Sequence, residues 1–548
     1  MTRLSPPPSS KEAATARARQ LARAALILLP ALIAVWAIAT CALSKGVRET
    51  RYGHDVFLPL DAAWRMLSGQ TQHADFYSPY GPVEPWLVAS MMRLGGVGVL
   101  AIPRAVAAAG VVAVVGTLGV VLRRTSVVVG SWLIAVGALI AVGRNQLGFP
   151  FFHVSHSAYY NRIGFVLLAA VMIECLVAPR GTHRPAVVIG GALSGFFATL
   201  LVFVKLTFPL VAAAFLAMSL GVRPRSRARA AAIACGAIAA LAVGGALIGF
   251  HYGAMLGDYA RVSAARNGFA LAHHDFLLDT FTRDSTLITP GRIVETVAND
   301  LWPALCVVAL AAIVPLDAFR VPERRQVVAV AVVTWAASMM LILTSWQWGE
   351  SPLYAVLALV LLEHALRSDV GDWRRAACIA LSTGCVGSFA VKEVASVLYD
   401  EQWQAHYKPA MDTFPAYASA KGLVIDGSDS TCRPREYASR LVAALDVIKT
   451  VPDPRIVTLD FSNPFPFLLQ TAPATRGGIC WHYDSTFSDE VFLSPELMFG
   501  DANVVVVPKC PEDPVSGTAL TRIYADVLAR DFHLIQDTGS LVVLGKGN

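Results

Sequence analysis

The stretch Arg51-Tyr-Gly-His54-Asp55-Val-Phe-Leu-Pro-Leu-Asp61 places an imidazole and two carboxylates close behind an apolar run, Leu21 to Leu43. A carboxylate at a bilayer surface can act as general base on a hydroxyl if its surroundings keep it ionised. Asp55 is the candidate for that role; the alternative is a solvated loop acid. His54 beside it reads as a catalyst or as a plain loop residue. Asp61, six residues on, would face another way in a helix. It reads as the N-cap or first-turn acid of a short amphipathic helix over 62–67 that ends at Gly69. His73-Ala-Asp75-Phe-Tyr77-Ser-Pro-Tyr80-Gly81-Pro82 then turns back toward the membrane. There Asp75 is a second acid, an acceptor contact or a turn residue, and Tyr77 and Tyr80 are partly structural.

Cations form the second set. Tyr159-Tyr160-Asn161-Arg162 stands directly before an apolar run. An arginine there is a phosphate clamp, with Tyr160 and Asn161 as supporting donors, or an interfacial side chain reaching for water. Lys205, in Leu201-Val-Phe-Val-Lys205-Leu-Thr-Phe-Pro209, is a lone cation between two apolar runs, suited to a phosphate headgroup or to a snorkelling position. Trp346-Gln347-Trp348-Gly349-Glu350 offers a carboxylate and an amide between indoles, or an aromatic belt. His153 and His156 lack a third ligand at metal spacing. Asp275, Asp279 and Asp284 with Asp55 are candidates for a divalent cation. Asp426 to Asp429 and Asp460 to Phe467 follow strand-like runs and are either site loops or ordinary turns.

These residues need a scaffold, and composition names its solvent. Charged residues make up 15% of the chain, against about 25% in a typical soluble protein. Mean hydropathy is +0.54. About eleven apolar runs are long enough to be read as spans: 21–43, 102–122, 127–142, 163–178, 186–204, 206–222, 230–250, 301–316, 327–343, 353–366 and 376–397. Arginine clusters before the first run and after the second, fourth, sixth, eighth and tenth all fall on one side. The positive-inside rule makes that side cytoplasmic and, with an odd number of spans, puts the C-terminus outside. The net charge of +6 is therefore topological and gives no reason to expect nucleic acid: residues from Asp400 onward carry 19 acidic and 12 basic side chains, a net of −7.

The organisation expected is a disordered cytoplasmic segment over 1–20, a membrane domain over 21–398 with outer loops 44–103, 144–162 and 251–300, and an outer α/β domain over 399–548. The first loop contains an interfacial helix near 86–100. In the C-terminal part, strands are expected at 423–425, 456–459, 504–507 and 541–544, with helices at 435–449 and 519–530. Six cysteines lie in or beside apolar runs; Cys432, Cys480 and Cys510 lie outside them and leave room for one disulfide and one thiol.

The acid just past the first span, the long first outer loop and the run Asp75-Phe-Tyr77-Ser-Pro-Tyr80-Gly81-Pro82 resemble the GT-C superfamily of polytopic glycosyltransferases, in particular the first loop of its mannosyl- and aminoarabinose-transferase branch. The resemblance covers topology and roughly the first hundred residues. It implies a bacterial inner-membrane protein and transfer of a sugar from a polyprenyl-phosphate donor to a periplasmic lipid, glycan or protein acceptor. Asp55 would be the base of an inverting attack, and Arg162, Lys205 and Tyr160 would hold the donor phosphate. Asp75, Tyr77, Tyr80, Asn161 and Glu350 would shape the sugar and acceptor pockets, since apolar sugar faces stack on rings. Some members use a divalent cation and others none. The competing readings are a secondary transporter or lipid flippase, and a non-catalytic envelope assembly protein. Transporters carry internal repeats and mid-membrane charges, whereas here the ionisable residues cluster at the outer surface.

Overall fold

The computed structural model describes residues 10–50, 52–156, 158–180, 184–222, 226–272, 301–314, 334, 351–368, 371–426 and 437–547. Helices occupy the expected spans wherever they are described. They are α1 (Ser10–Ala42), then, beyond two short helices of the first loop, Ala101–Val121, Val127–Val142, Tyr160–Leu176, Arg184–Leu200, Thr207–Val222, Arg227–Leu247, Trp302–Ile313, Leu353–Arg367 and Asp372–His406. The run over 327–343 lies outside the described residues apart from Thr334. Among the described residues five helices, over Thr15–Ala42, Ala101–Val121, Arg184–Phe203, Arg227–Leu247 and Asp372–His406, are long and apolar enough to cross a membrane. Leu28, Leu32 and Val35 are exposed on the first of them, the arrangement a lipid-facing helix needs.

Local chemistry sets the boundaries. Ser126 and Ser226 cap their helices by accepting from Val129 N at 3.4 Å and Arg229 N at 3.3 Å. The helices Arg184–Leu200 and Arg227–Leu247 approach backbone to backbone. A Cβ at Gly195 would strike the Ile233 carbonyl, and one at Gly236 the Ala192 carbonyl. The helix Tyr160–Leu176 is buried along its whole length and forms the centre of the bundle.

At one end of the bundle two buried acids collect the arginines that the charge pattern placed together. Glu174 takes Arg124 at 3.2 Å and Arg229 at 2.7 Å. Glu363 takes Arg180 at 2.6 Å and Arg367 at 2.9 Å. Cations and carboxylates taken out of water persist when paired in this way.

At the other end, the first loop and the C-terminal residues interlock. Strand β1 (Val47–Glu49) pairs in parallel with β2 (Leu423–Ile425), Val47 opposite Leu423. Helix α2 (Phe57–Leu67) ends at Gly69 as expected, with φ +90 in the position that terminates helices. Asp61 departs from expectation. It lies in the second turn of a helix that starts earlier than the sequence suggested, fully buried, and pairs with Arg65 at 3.0 Å instead of capping. Arg65 also donates to the carbonyls of Ala474 and Arg476 at 2.9 and 3.0 Å, and Trp64 Nε1 donates to Thr471 O at 2.8 Å. Helix α3 (Val83–Gly95) starts three residues before the expected interfacial helix and stops at Gly96.

A four-stranded mixed sheet closes the chain. Its order is β3 (Ile456–Thr458), β4 (Val504–Pro508), β6 (Leu541–Lys546), β5 (Phe532–Asp537), with β3 and β4 parallel and the other pairs antiparallel. The strands at 47–49 and 532–537 were not expected; the latter is mostly exposed and its pattern is weak. One apolar cluster runs without interruption from bundle helices such as Tyr160–Leu176 through Val47 and Phe57 to Phe414, Tyr437, Val504 and Val543. Cys510 is disulfide-bonded and Cys480 is a buried free thiol, while Cys432 lies outside the described residues.

Candidate functional site

Asp55 sits in a single 3-10 turn, Gly53–Val56, entered through Tyr52 in the left-handed region at φ 52. The Asp55 amide donates to Tyr52 O at 2.8 Å, and the Asp55 side chain is 13% exposed. His54 Nε2 lies 3.2 Å from Asp55 Oδ1, and His54 Nδ1 lies 3.4 Å from Glu512 Oε2. Arg440 grips Glu512 at 2.9 Å and the Cys510 carbonyl at 2.6 Å. Asp460 Oδ1 accepts from the amides of Phe461 at 2.7 Å and Glu512 at 2.9 Å. Ser462 Oγ donates to His54 O at 3.3 Å, and the Phe461 ring stands edge-on to the imidazole, 5.0 Å between centroids.

The electrostatics follow from burial and neighbours. Burial alone would depress His54, but Asp55, Glu512 and Asp460 outweigh it and push the imidazole up to about 9. Burial lifts Asp460 to about 7, with the Glu512 charge adding to it and two amide hydrogen bonds opposing. His54 thus lies between the side chains of Asp55 and Glu512.

The expected cation forms the second centre. Lys205 is buried, with Nζ 3.5 Å from Asn161 Oδ1 and 5.5 Å from the centroid of the Tyr160 ring. Tyr160 stacks on Tyr80 at 4.4 Å, and Tyr80 OH lies 3.8 Å from Cys480 Sγ. Burial holds the Tyr80 phenol well above its ordinary value. Gly81 makes this stack possible. Its amide donates to Val204 O at 3.0 Å, and any Cβ there would collide with the Phe203 carbonyl, so the turn can press against the residue next to Lys205. Glu84, in the first turn of α3, accepts from the Tyr160 amide, and burial raises its carboxyl to about 8. The sequence marked Glu84 only as an acid two residues after a proline, which a helix start explains by itself.

The two centres are joined. Phe461, in contact with His54, packs on the apolar cluster of Ala62, Phe76, Ile479 and Cys480, against which Tyr80 also packs. A chain of packed residues therefore runs from His54 through Phe461, the cluster around Cys480 and Tyr80 to Tyr160 and Lys205.

Other expected residues are placed differently. Arg162 is buried and its guanidinium is committed. It donates to Glu393 at 3.1 Å, to Ile140 O at 2.9 Å, and to Asn145 through both main-chain and side-chain oxygens. These donors join the helix end at Ile140 and the loop at Asn145 to the helix Asp372–His406, the structural alternative to a phosphate clamp. Tyr77 is likewise buried, stacked on Trp481 at 5.6 Å with its hydroxyl donating to Thr486 O at 2.7 Å, so its ring is core and not an open subsite wall. Asp75 accepts from the Thr71 amide at 2.6 Å and borders a cleft of about 320 Å³ with His73, Asp258, Arg261 and Arg476, whose lining does not include Asp55. His156 pairs with Glu49 at 2.7 Å. Among the described residues no group of three or more His, Cys, Asp or Glu is placed to hold a metal ion. Glu350, the Trp346–Trp348 segment, Asp275, Asp279, Asp284 and Asp429 lie outside the described residues.

No family model and no curated protein matches the chain. Among solved structures it is similar to ArnT from Cupriavidus metallidurans in the apo state, with 12% identity, a TM-score of 0.40 and coverage of 95% of this chain and 98% of that one. It is similar to the same protein bound to undecaprenyl phosphate, at 13% identity and a TM-score of 0.38 over 94% and 97% of the two chains. The archaeal oligosaccharyltransferase AglB from Archaeoglobus fulgidus, in complex with an inhibitory peptide and a dolichol-phosphate, is similar at 11% identity and a TM-score of 0.35 over 97% of this chain and 74% of that one. TM-scores below 0.5 carry no argument about chemistry, which the residues themselves have to supply.

Proposed function

We propose that this chain is a membrane glycosyltransferase that moves a sugar from a polyprenyl-phosphate donor to an acceptor hydroxyl at the outer membrane surface. Asp55 takes the proton of the attacking hydroxyl, and attack opposite the leaving phosphate inverts the anomeric carbon. Lys205, with Asn161 and Tyr160, faces the charge that builds on the departing polyprenyl phosphate, in a buried setting where a cation acts more strongly than in water. Tyr80 and Phe461 line the path between them, and Asp75 borders a cleft suited to part of the acceptor.

What supports this reading is that the first-loop acid and the buried lysine stand at the two ends of one chain of packed residues, through His54, Phe461, the cluster around Cys480, Tyr80 and Tyr160. A base at one end and a cation at the other is the arrangement that direct displacement of a lipid phosphate requires. Arg162 and Tyr77 are left out of the reading because their polar groups are occupied. The whole protein in detergent, given undecaprenyl-phosphate sugars and membranes as acceptor source, provides the test. Asp55→Asn should lose at least about a hundredfold in transfer rate while inserting and eluting as the wild type does. A correctly folded Asp55→Asn that transfers sugar normally removes Asp55 as the base.

A further inference from the structure

The residues that surround Asp55 come from opposite ends of the chain. Its own turn supplies His54, and Glu512, Arg440 and Asp460 arrive from beyond residue 436. Glu512 contacts the imidazole at Nδ1 and Asp55 contacts it at Nε2, at 3.4 and 3.2 Å. Both are ion-pair distances, and His54 Nδ1 forms no hydrogen bond at that separation, so what places the ring is an acidic side chain beside each nitrogen. Glu512 is held in turn by Arg440 and, through its own amide, by Asp460. The side chains of His54, Glu512 and Arg440 are each less than a tenth exposed. Basic and acidic side chains alternate through this buried group, so removing one member leaves its neighbour with one fewer partner.

We propose that the C-terminal residues are part of the first-loop site and not a cover over it: Glu512, gripped by Arg440, fixes the His54 ring, and the ring fixes the Asp55 carboxylate for its approach to the acceptor hydroxyl. This rests on Asp55 being the base, as argued above. Glu512 and His54 are positioning residues, since neither needs to touch substrate. The proton taken by Asp55 leaves to solvent after the sugar has transferred, and no further reactant is needed.

The test uses the whole protein in detergent with undecaprenyl-phosphate pentoses and hexoses, and membranes as acceptor source. Glu512→Gln should lower kcat about tenfold or more, leave the donor KM within about twofold, and displace the pH profile of kcat. Glu512→Asp should recover part of the rate. The double variant Asp55→Asn/Glu512→Gln should be no slower than Asp55→Asn alone, because Glu512 acts through Asp55. Wild-type kcat and pH profile in Glu512→Gln, beside an inactive Asp55→Asn, would overturn the inference and leave the proposed function standing. An active Asp55→Asn would overturn both. Nitrogen-15 NMR of histidine-labelled wild-type protein needs no variant of Glu512. The His54 resonance, assigned by its loss in His54→Gln, should be that of an imidazolium at pH 8, and a neutral ring there would overturn the inference whether or not Glu512→Gln folds.

Discussion

Lys205 is buried beside Tyr160 and Asn161. A lone cation between two apolar runs had two readings, snorkelling or phosphate binding. Burial against Tyr160 and Asn161 favours the second, because a snorkelling amine ends in water. Lys205→Met should therefore cut kcat/KM for the polyprenyl-phosphate donor about a hundredfold, roughly 3 kcal/mol, and Lys205→Arg should keep most of it. A Lys205→Met protein with an unchanged donor kcat/KM would end the phosphate role. Tyr80, Tyr160 and Asn161 were legible for the same local reason: polar and aromatic residues at the rim of apolar runs gather at the same membrane level. Glu512, Asp460 and Arg440 were not. Hydrophobic period and turn chemistry report on neighbours in sequence, and nothing local in those residues says that they meet His54 more than 380 positions away. The partner of Arg162 was hidden in the same way, since Glu393 lies 231 residues on.

At the scale of elements, Arg162 acts as a fastener. It ties the end of the helix Val127–Val142 and the loop at Asn145 to the helix Asp372–His406. Removing the guanidinium breaks a buried ion pair with Glu393, and such losses typically cost about 3–5 kcal/mol. Arg162→Met should thus lower the melting temperature in detergent sharply and reduce the yield of folded protein. If Arg162→Met instead kept its thermal stability and lost donor affinity alone, the fastener account would be wrong and the phosphate clamp would return. The helices themselves were readable because a run of about twenty apolar residues has few other uses. The start of α2 was not readable: Phe57 to Leu60 looks like loop until the tail residues 471–476 are seen holding Trp64 and Arg65.

Across the whole molecule, the junction between first loop and C-terminal sheet is set to respond to pH. His54, raised from 6.5 to about 9, contributes stability that is full below its unfolded value and is lost as pH rises through 9. Asp460, raised from 3.8 to about 7, has the same sign: its contribution is complete below about 4 and is lost as pH rises through 7. Tyr437, Arg440, Asp55 and Glu512 face the same group. Between pH 6 and 9.5 both shifts weaken the junction. Amides around Gly53–Val56 and Lys509–Asp513 should exchange hydrogen about tenfold faster, after correction for intrinsic rates, at the upper end of that window. Equal protection at both ends would show that the junction does not draw on these protons.

The pairing of β1 with β2 also fixes an order of assembly. Val47 is made early and Leu423 only after the long helix Asp372–His406 has left the ribosome, and closing so large a ring is entropically demanding until its partner strand exists. The segment that carries the acid must wait in an unfinished state while the bundle inserts around it. A polypeptide cut short before residue 423 cannot complete that ring. Prematurely terminated products would then sit in the bilayer as inert helices instead of as half-working catalysts.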